Sequence, residues 1–180
     1  MKSITLILAA GLLTTSPLLA LAQDAADKNH RSLETELTGY QEVPSISTPG
    51  EGEFSARINN GATSLTYELA YADLSSNVTQ AHIHFAQPGV NGGVAVWLCS
   101  NLASPPTPAG VPPCPPAPAV VSGVIDASDV VGPSAQGIAP RELAELLAAI
   151  RAGTAYVNVH TSTYPGGEVR GQLGGRGRGN

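Results

Sequence analysis

The stretch SLTYELAY at 64–71 sets a large apolar residue at every second position. In an extended chain successive side chains point to opposite faces, so Leu65, Tyr67, Leu69 and Tyr71 share one face while Thr66 and Glu68 share the other. A helix would spread the same residues around a cylinder; a half-buried strand gathers them. Similar runs rich in Val, Thr, Tyr and Ile occupy 33–38, 53–59, 78–85, 93–99, 119–126, 154–161 and 167–173, separated by turn residues such as Asn59-Asn60-Gly61. Eight short strands with mostly short connections predict an all-β chain, either an antiparallel β-sandwich with Greek-key-like connections or a flattened barrel.

Two segments break the pattern. SNLASPPTPAGVPPCPPAP at 100–118 holds eight prolines, too many missing N–H donors for a central strand, so an exposed loop is expected. In PRELAELLAAIRAG, Leu143, Leu146, Leu147 and Ile150 fall at helical spacing. Pro140 suits the first turn and Gly153 the end, so one short amphipathic helix is expected to pack on the strands.

The chain opens MKSITLILAAGLLTTSPLLALAQ, with an early lysine, an apolar run and a small-x-small ending. This reads as a secretory signal peptide over 1–22, cut after Ala22. Thr14, Thr15, Ser16 and Pro17 interrupt the run, and no segment suits a membrane span of roughly 20 apolar residues. Residues 23–32 read as a polar, flexible leader carrying His30, and GGRGRGN at 174–180 as a disordered Gly/Arg tail. A secreted or periplasmic protein is the expectation. Its only cysteines, Cys99 and Cys114, meet oxidising conditions there and are expected to pair. With 13% charged residues and a net charge of −5, the chain offers no basic surface for nucleic acid.

The histidines follow from the same parity. In VTQAHIHFA, Ala81, Ile83 and Phe85 share one face and His82 and His84 the other. In TAYVNVHT, Ala155, Val157 and Val159 point inward, leaving Tyr156, Asn158 and His160 outward. With the apolar sets in the core, His82, His84 and His160 are expected on the outer, solvent side. If their strands are neighbours, three neutral imidazoles converge, a donor set suited to copper or zinc. The same residues also fit a plain polar surface. Asn158 and Glu168 are the expected supporting residues, with Glu168 accepting a hydrogen bond from a ligand histidine or merely pairing with Arg170 at the surface. Trp97, Tyr156, Asn158 and Tyr164 would alternatively line a groove for a sugar or peptide, with the proline-rich loop as a flap. No Ser-His-Asp arrangement or phosphate-binding loop is present, so a catalytic role is not indicated beyond a copper-dependent redox activity at the triad.

LTGYQEVP at 37–44, AHIHFAQPG with GGVAVWLC across 81–99, and LLAAIRAGTAYVNVHTSTYPGGEVRGQL at 146–173 together resemble the chordin-type (CHRD) domain over about residues 33–173. That family is found in chordin, a binder of secreted growth factors, and in many exported microbial proteins. The resemblance implies an extracellular β-sandwich, of the superoxide-dismutase or immunoglobulin kind, without an established catalytic activity. An extracellular protein or glycan partner is therefore the alternative to a metal ion. A likeness of architecture connects His82, His84 and His160 to copper/zinc superoxide dismutase, whose copper ligands include a His-x-His pair on one strand and a histidine ending another. The bridging histidine and zinc loop of that enzyme have no counterpart here.

Overall fold

The computed structural model describes residues 32–174. The signal peptide, the leader except Ser32, and the tail beyond Gly174 lie outside the described residues. Eight strands carry the fold: β1 (Ser32–Thr38), β2 (Glu51–Ile58), β3 (Ser64–Ala72), β4 (Val78–Phe85), β5 (Gly93–Ser100), β6 (Ala119–Asp126), β7 (Ala155–Thr161) and β8 (Val169–Leu173). Among the described residues one α-helix, α1 (Leu143–Arg151), precedes β7. The strand bounds agree with those read from alternation to within about two residues, Ser32 joining β1 rather than the leader.

Hydrogen bonding runs continuously through all eight strands in the order β5-β4-β7-β8-β1-β2-β3-β6, and every neighbouring pair is antiparallel. This is one curled sheet, closer to the flattened barrel than to two facing sheets. Its edge strands β5 and β6 approach each other. Val96 bridges to Val130, just past β6, and Tyr67 Oη donates to the Leu98 carbonyl at 3.2 Å. The barrel is thereby nearly closed, which hides edges that would otherwise invite pairing with another chain. Its interior holds the apolar faces read from the sequence: Phe54, Leu65, Leu69, Ile83 and Val157 are fully buried within one core.

Helix α1 adds Leu143, Leu146, Leu147 and Ile150 to that core. It starts at Leu143, later than expected from Pro140, because Arg141 takes a left-handed φ of 73° that no helix can continue. Gly153, also left-handed, ends it and donates to Ile150 O at 3.0 Å.

The proline-rich loop leaves the sheet after β5 and is pinned at its base. Ser100 N donates to Pro112 O, Asn101 Nδ2 donates to Val78 O and Cys114 O, and Cys99 and Cys114 form a disulfide. Closing a loop of 15 residues restricts the unfolded chain and contributes about 3 kcal/mol. The double substitution Cys99→Ser, Cys114→Ser is expected to lower unfolding stability by about that amount in urea titrations; an unchanged midpoint would show that the loop's hydrogen bonds alone suffice.

Candidate metal centre

β4 lies between β5 and β7, and the register sets His82 opposite Asn158 and Gln80 opposite His160. Alternation then places His82, His84, Asn158 and His160 on the outer face of two adjacent strands. The neighbour relation, which periodicity could not supply, is thus met. One ring nitrogen from each of His82, His84 and His160 lies within 4.8 Å of the others, and His82 Nδ1 is 3.3 Å from His160 Nε2.

The expected exposure to solvent is not met. His82, His84 and His160 are 2%, 8% and 7% exposed. Parity decides which side of a strand a residue occupies, not whether loops cover that side. Here the segments 39–50, 86–92 and 162–167 fold over it: Gly92 O accepts from His84 Nδ1 at 2.9 Å, and Pro165 O accepts from His160 Nδ1 at 2.9 Å. Both glycine and proline enable the cover, since a Cβ at Gly92 would overlap the Phe85 carbonyl and Pro165 begins the turn that brings its own carbonyl back to β7.

Those two bonds fix the chemistry. A carbonyl only accepts, so Nδ1 of His84 and of His160 carries the proton and each Nε2 presents a lone pair. Donation of the second ring N–H to a backbone carbonyl is the usual support for a metal-ligating histidine. His84 Nε2 and His82 Nε2 are buried with no hydrogen-bond partner. His160 Nε2 has Asn158 Oδ1 3.1 Å away. Aromatic packing holds the rings: His82 meets the edge of Trp97 at 4.2 Å, and His84 stacks on Tyr156 at 4.7 Å with only 2° between planes. The Arg170 guanidinium covers the other face of Tyr156, 3.4 Å from its centre.

Asn158, expected as support, lies beside His160, its Oδ1 3.1 Å from Nε2. The Glu168 carboxylate accepts from Thr48 Oγ1, Ser75 N, Ser75 Oγ and Thr161 Oγ1, and Pro165 O accepts from His160 Nδ1. Glu168 does not pair with Arg170 at the surface, since both are buried. Arg170 donates to Val90 O at 2.9 Å and to Asn91 Oδ1. Tyr156 and Asn158 are also buried, which removes them from any ligand groove; Trp97 is half-buried.

Burial governs protonation. Loss of hydration, then the neighbouring His160 and His84, pushes His82 down to about 2. Desolvation likewise pushes His84 down to about 4 and lowers His160 despite its bond to Pro165. For Glu168 desolvation works upward, but its four hydrogen bonds together hold it below the usual carboxylate range. Three imidazoles therefore stand close together, each shifted toward its neutral form.

A chain that is all-β with a buried three-histidine cluster under loop cover defines the class of protein. More specifically, the CHRD domain model matches residues 33–173, and the chain belongs to that family. Neither a curated protein nor a solved structure gave a significant match.

The lowered histidines weaken the metal-free protein in acid, and Glu42, which burial pushes up to about 7, opposes them by one proton over the same range. Below about 6.5 the unfolded chain protonates each histidine while the native state does not, so stability is lost as pH falls. Each contributes a slope of up to about 1.4 kcal/mol per pH unit. Denaturation midpoints measured from pH 6.5 to 4.5 are expected to fall, and His84→Asn should flatten the slope by about one such increment. A slope identical to wild type would mean that His84 takes up its proton in the folded state.

Proposed function

We propose that this is an exported CHRD domain that binds a copper-like transition-metal ion through His82, His84 and His160, with zinc as the alternative ion. The observation that carries the reading is the set of three buried, neutral imidazoles with close nitrogens, two of them anchored by backbone carbonyls and two with an unpartnered Nε2. Metal–nitrogen bonds of about 2.0–2.1 Å require nitrogens no more than about 4.1 Å apart. The 3.3 Å between His82 Nδ1 and His160 Nε2 meets this, so His82 would ligate through Nδ1, and the three ligand nitrogens lie within 4.8 Å of one another.

Imidazole donors without a free thiolate favour copper(II) or zinc over copper(I) or a hard cation; both cysteines are in the disulfide. The role proposed is binding, storage or sensing of the ion rather than turnover. When bound, the ion would supply Lewis acidity or, for copper, redox capacity. The chain's own residues orient the rings, exclude water and keep the nitrogens unprotonated. The disulfide supports an oxidising compartment, and among the described residues no helix is long and apolar enough to cross a membrane. A cleaved signal peptide would deliver the domain to the periplasm or beyond.

A second reading, an extracellular protein- or glycan-binding module, draws on the half-buried Trp97, which with Pro108, Pro112 and Val131 lines a cavity of about 230 Å³ beside the proline-rich loop. Titrating oxidised protein lacking residues 1–22 with Cu(II) and Zn(II) tests the first reading. One ion per chain is expected, with affinity reduced on the order of 100-fold in His82→Ala and His160→Ala. Micromolar-or-weaker affinity that neither substitution changes would defeat it, and would shift attention to the loop.

A further inference from the structure

Two carboxylates are buried among the described residues, Glu42 and Glu168. Their surroundings differ. Glu168 accepts four hydrogen bonds, whereas Glu42 Oε1 accepts none. The buried side-chain polar atoms without a partner are Glu42 Oε1, His82 Nε2 and His84 Nε2, and they belong to one neighbourhood. Glu42 follows the short turn Gly39–Gln41 after β1 and reaches beneath Gly167, where a Cβ would overlap its Oε1 and stand 2.8 Å from Asn158 Nδ2. Asn158 in turn places Oδ1 beside His160 Nε2. The chain Glu42–Asn158–His160 therefore leads from a carboxylate to the cluster through one amide.

Charge makes the position meaningful. Arg170, 1% exposed, already sets one positive charge beside Tyr156 and hence beside His84. A divalent ion on three neutral imidazoles would add two more in a water-poor site, and uncompensated buried charge is strongly unfavourable. We propose that Glu42 is the counter-charge of the bound cation, its carboxylate offsetting the ion across Asn158 and favouring divalent occupancy of the cluster. The proposal rests on the histidine reading of the preceding section.

The metal-free state fits this role. Desolvation pushes Glu42 up to about 7, outweighing Arg170, Asn158 and the Val43 backbone, all of which favour the ionised form. A cation nearby would restore the charge. The groups facing Glu42 are Arg170 from β8 and Tyr156 from β7, with His84 and His160 beyond Asn158. Two cavities, of about 360 and 160 Å³, lie outside it, and the residues they share are Glu42, Val43 and Pro44. That segment thus separates the two cavities.

Cu(II) and Zn(II) titrations of the oxidised protein, with thermal melts of the metal-free form, test the assignment. Glu42→Gln keeps the shape and removes the charge. It should weaken divalent affinity tenfold or more while leaving the metal-free melting temperature unchanged or higher, because a buried carboxylate with one unpartnered oxygen is lost. A merely structural Glu42 would lower that temperature, and this result, or affinity within threefold of wild type, overturns the proposal. Should Glu42→Gln not fold, Glu42→Asp and Glu42→Asn carry the same comparison, the charged variant binding at least tenfold more tightly. His160→Ala separates the two ideas: if it abolishes binding while Glu42→Gln does not, only Glu42 is misassigned; if wild type binds neither ion, both readings fall.

Discussion

The site depends on how β8 fastens the loops above it. Glu168, just ahead of the strand, and Arg170 within it are both buried, and they staple the cover from two sides. Glu168 gathers the hydroxyls of Thr48, Ser75 and Thr161, drawing the segments 39–50 and 73–77 onto the sheet. Arg170 satisfies the carbonyls of Gln87 and Val90 and the side chain of Asn91, and Asn91 Nδ2 donates onward to Val43 O. Charged groups this deep are tolerated only when hydrogen-bonded. The staples are therefore as demanding as any core contact, and they decide that a polar sheet face becomes an interior.

Burial by polar staples has a chemical result that burial by apolar packing would not. The histidines lose solvent and their protons but retain donors and acceptors that orient them. Neutral imidazoles with an unpartnered nitrogen are costly in a folded protein, and a bound ion would offset that cost. On the proposed reading, folding the polar face shut also prepares the metal site.

Much of this was legible in the sequence, for definite reasons. Period-two alternation in VTQAHIHFA and TAYVNVHT fixed which residues share a face, and the observed parity agrees: Ala81, Ile83, Val157 and Val159 are in the core, the histidines outside it. Cysteine count and compartment anticipated the disulfide. Exposure was not legible, because the covering loops have no periodicity and are held by single residues such as Glu168 whose partners lie up to 120 positions away. Helix α1 began late because a left-handed Arg141 carries no composition signal. Glu42, proposed here as the counter-charge, did not stand out, since a carboxylate in a turn before Val43-Pro44 reads as surface; its place within LTGYQEVP, one of the stretches that resemble the family, was the available clue.

The most direct test of the account is anomalous diffraction from crystals of the oxidised protein loaded with copper, recorded at the copper edge. The account predicts a single strong peak about 2.0–2.1 Å from one nitrogen of each of His82, His84 and His160, beneath the loops held by Glu168 and Arg170. Peaks confined to the surface, with the histidine cluster empty at saturating copper, would contradict it.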